Sequence, residues 1–165
     1  MARHLQFRSP PPLLICANLQ RDEADCDQPG RCDEALSACR ALLARWREQR
    51  FPVLHLKRIA QDAWFDVSRS DFLDGFRPTP GELSFEHALP SAYSSARFAE
   101  YMRSIRPETS VFVGLSLDQT ILSSAIDGFH RGHCHQVVGD AVDTVRHPAA
   151  ARATLLTVLG AFSPT

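Results

Sequence analysis

Short apolar runs alternate with amphipathic segments along this chain. Leu13 to Leu19 is apolar except at Asn18, the pattern of a strand buried on both faces. After a polar loop, Asp33 can cap a helix whose apolar positions Leu36, Cys39, Leu42, Leu43 and Trp46 recur at three- and four-residue steps. Pro52 closes that segment, and Val53 to Lys57 reads as a second strand. Leu83 to Phe85 is a short strand, and Ser94 to Ile105 a helix with Phe98, Tyr101 and Met102 on one face. Ser110 to Leu115 is a third buried strand, followed by a helix over Asp118 to His130 and a short strand at Gln136 to Val138. Pro148 introduces a last helix over Ala149 to Phe162. Strands alternating with helices of this length predict a three-layer α/β/α fold, a mostly parallel sheet with helices on both faces. Ligands of such sheets bind at the carboxyl ends of the strands, where Asn18, Ser116 and Asp140 fall.

Residues 58 to 81 break the pattern. Trp64, Phe65, Phe72 and Phe76 stand there among charges, and Pro78 and Pro80 close the stretch. Two readings fit: a pocket lid carrying aromatics, or a loop whose aromatics pack onto the body.

Composition then narrows the picture. A chain of 165 residues, 44% hydrophobic and 22% charged, is expected to form one globular domain over 1–165, with 1–12 as a flexible N-terminal arm. A formal net charge of -1 gives no field that draws nucleic acid or an acidic membrane. No apolar run is long enough for a signal-peptide core or a membrane span, so the default expectation is a cytoplasmic, reducing location. Five cysteines without a CxxC pair offer neither a zinc ribbon nor a redox motif, and Cys16 and Cys39 read as buried thiols. His130, His133, Cys134 and His135 could in principle ligate zinc or nickel. By topology they lie in a helix-to-strand turn at the end of the sheet away from the ligand site, which favours a turn and no metal.

Three segments resemble the isochorismatase-like cysteine hydrolases. Leu13-Leu14-Ile15-Cys16-Ala17-Asn18-Leu19-Gln20-Arg21-Asp22 is similar to that family's first strand, where an apolar run precedes an acid, an apolar residue, Gln and a further Asp. Ser91-Ala92-Tyr93 resembles the Ser-Ala-Phe of the strand-to-helix stretch, with His87 four residues before the serine where the family has lysine. Gly114-Leu115-Ser116-Leu117-Asp118-Gln119-Thr120 resembles the nucleophile turn, with Thr120 where the cysteine stands. The resemblance implies that Asn18, His87 and Thr120 occupy the positions of the catalytic Asp, Lys and Cys. It also implies an oxyanion hole from the backbone amides of Ser116 and Thr120, and a cis peptide at Leu115–Ser116. Gln20, Arg58, Trp64 and Tyr93 are the expected ligand-binding side chains around a small carbonyl or carboxamide. Relatives form dimers or tetramers, so a homo-oligomer is expected. The loop metal site of the nicotinamidase relatives has no counterpart, since residues 58 to 81 hold no histidine, and no cofactor is expected.

The substituted set changes the chemistry. Asn18 cannot take a proton, His87 is a neutral-pH base with a reference pKa of roughly 6.5, and a threonine hydroxyl is a poor nucleophile without a base in contact with it. One reading is a degenerate hydrolase site in a domain that acts by ligand binding or assembly. The other is a rewired Thr120–His87–Asn18 triad that hydrolyses small amides or esters.

Overall fold

The computed structural model describes residues 10–25, 30–59, 70–144 and 149–162. Five strands, β1 (Leu13–Ala17), β2 (Val53–Arg58), β3 (Leu83–His87), β4 (Ser110–Gly114) and β5 (His135–Val142), form one sheet in the order β3-β2-β1-β4-β5. Every pairing is parallel. The expected α/β architecture is the one observed.

Side-chain alternation along β1 sorts the core into two layers. Leu13, Ile15 and Ala17 join Leu54, Phe85, Phe98, Met102, Phe112, Ile121 and Leu159 on one face. That layer lies under helices α3 (Ala96–Ile105), α4 (Leu122–His130) and α5 (Ala149–Gly160). Leu14 and Cys16 join Leu36, Cys39, Leu43, Val111 and Val113 on the other, under α2 (Asp33–Glu48). A four-residue helix, α1 (Arg21–Ala24), follows β1. The Cys16 and Cys39 thiols are both buried. Burial pushes the Cys39 pKa up to about 12, and its Sγ donates to the Ala141 carbonyl at 3.1 Å.

Several boundaries differ from the sequence expectation. Cys32, not Asp33, is the helix cap residue, and Asp33 serves as the first-turn acid. The segment expected to be one helix from Asp118 opens instead with a wide turn over Leu117–Ile121 before α4 begins. Strand β5 is longer than expected because it shifts register between Phe112 and Gly114 of β4. Asp140 therefore lies within β5 as an exposed residue rather than at its end. In the loop, Phe76 is fully buried in the α2-side core and Phe72 packs edge-on to His55, so these two aromatics belong to the body. Trp64 and Phe65 fall outside the described residues, as does most of the expected N-terminal arm.

The strand order reverses beside β1, whose neighbours are β2 and β4. In parallel sheets such a reversal marks the usual ligand position, beyond the carboxyl ends of the strands on either side, here β1 and β4. Gly114 closes β4 at φ +129°, and a side chain there would run into the Ala17 backbone carbonyl. Only glycine lets the two strand ends approach this closely.

Candidate functional site

The carboxyl ends of the strands bring together the three positions singled out in the sequence. Asn18 follows β1 with φ 50°, a left-handed conformation that asparagine tolerates better than most residues. Thr120 sits in the turn after β4, and His87 ends β3. All three side chains are buried: Asn18 and Thr120 have no exposed surface, and His87 has 2%.

They form a line with Asn18 in the middle. The Asn18 amide is 2.8 Å from the Thr120 hydroxyl on one side and 3.0 Å from His87 Nε2 on the other. His87 Nδ1 lies 2.8 Å from the Leu89 carbonyl, which can only accept, so Nδ1 carries a proton. Burial lowers the His87 pKa first of all; the Leu89 hydrogen bond opposes this and the nearby Arg58 charge adds to it, so the ring is held neutral. A neutral ring with its proton on Nδ1 accepts at Nε2. The Asn18 amide stands with Nδ2 toward the Thr120 hydroxyl and Oδ1 toward Nε2. A neutral ring calls for the amide turned end for end, its NH2 donating to Nε2 and its oxygen accepting from the Thr120 hydroxyl. In either orientation of the amide, the group touching Thr120 is an amide and not a base.

The surroundings are polar but fully committed. Gln20 is buried, with its NH2 group donating to the Arg58 and Ser70 carbonyls at 3.0 and 2.7 Å and its oxygen accepting from the Arg58 N–H at 2.7 Å. Its amide therefore ties β2 to the following loop. Arg58 lies 2.5 Å from Glu23 and 3.8 Å from Asp22, so its guanidinium already faces protein carboxylates. Glu23 also accepts from the Ser116 hydroxyl at 3.1 Å. This buried acid, 3% exposed, is missing from the sequence expectation, in which its neighbour Asp22 figures only as a match to the first-strand pattern. Nothing in a local pattern separates two adjacent acids on one short helical turn.

Two expectations are corrected. The Leu115–Ser116 peptide is trans, because Ser116 makes the turn by adopting φ +66° instead. No acceptor for the Ser116 N–H is found among the described residues, and the residue is buried. Tyr93 does not join Asn18, His87 and Thr120. It is buried and its hydroxyl lies 2.5 Å from His133 and 2.8 Å from His135, at the amino ends of β4 and β5. Trp64 lies outside the described residues. No group of metal-binding side chains occurs among the described residues, and no described helix is long and apolar enough to cross a membrane.

Residues 12–161 match the model of the isochorismatase domain. Among solved structures, a putative hydrolase of the isochorismatase family from Chromobacterium violaceum is similar with a TM-score of 0.79 at 22% identity, over 96% of this chain and 90% of that one. An isochorismatase-like hydrolase from Alkaliphilus metalliredigens aligns with a TM-score of 0.82 at 14% identity, over 93% and 92% of the two chains. N-carbamoylsarcosine amidase from Thermoplasma acidophilum aligns with a TM-score of 0.75 at 20% identity, over 91% and 93%. No curated protein sequence matches. At these identities the structural likeness speaks to the fold.

Proposed function

The chain belongs to the isochorismatase family, and from that premise we propose that its hydrolase site is chemically silent and that the domain works by binding a small carbonyl or carboxamide ligand or by assembly with copies of itself. The observation that carries this reading is the amide of Asn18 standing between His87 and Thr120. Acyl transfer to a hydroxyl needs a base on that hydroxyl as it attacks. An amide does not take the proton, and the His87 imidazole meets Asn18 rather than the Thr120 hydroxyl. The network instead supports a structural role, holding the ends of β1, β3 and the Thr120 turn in register.

A second reading, an active hydrolase of small amides or esters, is favoured by the meeting of all three side chains in one buried line. It requires His87 to leave Asn18 and reach Thr120 directly. The discriminating experiment is a panel of small amides and esters assayed with the wild type and with Thr120→Ala and His87→Ala. The silent site shows no turnover above that of the variants; turnover lost in both variants would establish the triad. A double variant, Asn18→Asp with Thr120→Cys, tests what the site still supports, because it returns an acid and a thiol to the line. The reading is also one of a cytoplasmic protein, in keeping with buried thiols at Cys16 and Cys39, and of a dimer or tetramer, which sedimentation measures directly.

A further inference from the structure

We propose that the groove at the amino ends of β4 and β5 is a second ligand site, taking an organic oxyanion with an apolar body between Arg106 and Arg131 and recording its arrival by protonation of His133. The groove lies between the end of α3 and the turn from α4 into β5, at the other end of the sheet from Asn18, and has a volume of ≈ 860 Å³. That is the size range of small-molecule sites. Ala96, Ala99 and Pro107 supply an apolar wall, and Arg106, Arg131 and His133 the polar one.

The charges facing His133 can be followed element by element. On α3, Arg103 is matched by Glu100 at 2.7 Å, while Arg106 follows at the helix end. Glu108 stands on the rim. From α4 come Asp127, which acts on the neighbouring Tyr93, and Arg131, whose guanidinium lies over the Tyr93 ring at 4.9 Å. From β5 come Cys134 and His135. Neither Arg106 nor Arg131 has a carboxylate partner among the described residues. Its place over the Tyr93 ring anchors the Arg131 guanidinium, whose N–H groups suit a bidentate oxyanion.

Hydrogen-bond accounting explains why His133 is the reporter. Ser110 Oγ donates to the Cys134 carbonyl at 3.1 Å and so accepts from His135 Nδ1. His135 Nε2 is then an acceptor, satisfied by the Tyr93 hydroxyl. That hydroxyl, its proton spent, accepts from His133 Nδ1. The chain thus sets the His133 tautomer and leaves Nε2 as its open atom, with no partner among the described residues. Protonation at Nε2 breaks none of these bonds. Burial holds the His133 pKa down, and Arg131 and Arg106 add to that. An oxyanion between the two arginines cancels their effect and supplies an acceptor for the new proton.

The test is histidine NMR on the full chain, titrated with inorganic phosphate, phenyl phosphate and benzoate at ionic strength held constant with sodium chloride. The His133 resonance is assigned by its loss in His133→Gln. The expected result is a saturable His133 shift with phenyl phosphate or benzoate at lower concentration than with inorganic phosphate, and a raised His133 pKa in the complex. Whichever of the two saturates first identifies the head group. Benzoate keeps its charge between pH 6 and pH 8, so its affinity isolates the protein's own proton and should rise at the lower pH, by at most about tenfold for each unit of pKa shift. Arg106→Gln and Arg131→Gln are exposed substitutions that should each weaken binding about tenfold, and Ala99→Glu should abolish it. Absence of saturation, equal benzoate affinity at the two pH values, or binding undiminished in the arginine variants overturns the proposal.

Discussion

Two chains of buried hydrogen-bonded side chains lie at opposite ends of the same parallel sheet, and they terminate differently. At the carboxyl end, Leu89–His87–Asn18–Thr120 runs from a backbone carbonyl to a hydroxyl with no exposed surface. At the amino end, Cys134–Ser110–His135–Tyr93–His133 also starts at a carbonyl but ends on a half-buried imidazole lining a groove. Both satisfy every ring nitrogen they enclose, as buried networks must. Only the second ends on an atom able to change protonation without dismantling the rest. On the reading proposed above, the carboxyl end is closed structure, and the turn at the other end of the sheet carries the more open chemistry.

The largest effect should come from breaking the close approach on which the first network stands. Gly114→Ala drives a methyl group into the Ala17 backbone at a positive φ, where the atoms it meets are main chain and not a flexible side chain. Denaturant unfolding should show a loss of about 3 kcal/mol or more. Gly128→Ala is the counterpart at the other end, where the added methyl meets the His135 ring and the Tyr93 hydroxyl. Side chains can shift there, and the loss should be smaller, about 1–3 kcal/mol.

Removing the central member of each network sharpens the contrast. Asn18→Leu strands both the His87 Nε2 and the Thr120 hydroxyl away from water, and should cost about 2–4 kcal/mol, with hydrolytic turnover staying at background. Tyr93→Phe strands the His135 nitrogen alone, because His133 can turn to water in the groove, and should cost about 1–2 kcal/mol. Equal losses would show that the two networks are equally closed.

The smallest effect per step is the dependence on pH. Burial lowers the His87 pKa, and it pushes that of His135, with His133 adding to the effect, down to about 3. Below roughly pH 6.5 the unfolded chain therefore binds protons that the folded one refuses. Stability from each is complete above that value and is lost as pH falls from it toward the folded pKa, at up to about 1.4 kcal/mol per pH unit for each histidine. Unfolding measured from pH 7 to pH 5 should show this slope, and His87→Gln or His135→Gln should each reduce it by about one proton's worth. An unchanged slope in either variant would mean that the ring is already charged in the fold.

The strands and the principal helices were readable from the sequence because a doubly buried strand and an amphipathic helix leave different periods in neighbouring residues. The three positions Asn18, His87 and Thr120 were picked out through the resemblance of three segments to the isochorismatase-like hydrolases, and the fold brings their side chains into one hydrogen-bonded line. What those residues do to one another was not readable. Whether Asn18 orients His87 or separates it from Thr120 depends on which of three distant segments projects between the other two, and no local pattern records that order. The same holds for Tyr93, which a motif places near these positions and which the packing of α4 against β5 turns toward the far end of the sheet. Glu23 and Asp22 are indistinguishable as neighbours in sequence, and only the fold buries the first against Ser116 and Arg58. Sequence by itself determined the layers and the alternation of strands and helices, because burial is written into composition and period. Partner choice among buried polar groups was decided by tertiary structure alone, because it depends on distances of a few ångströms between residues as far apart as 18 and 120.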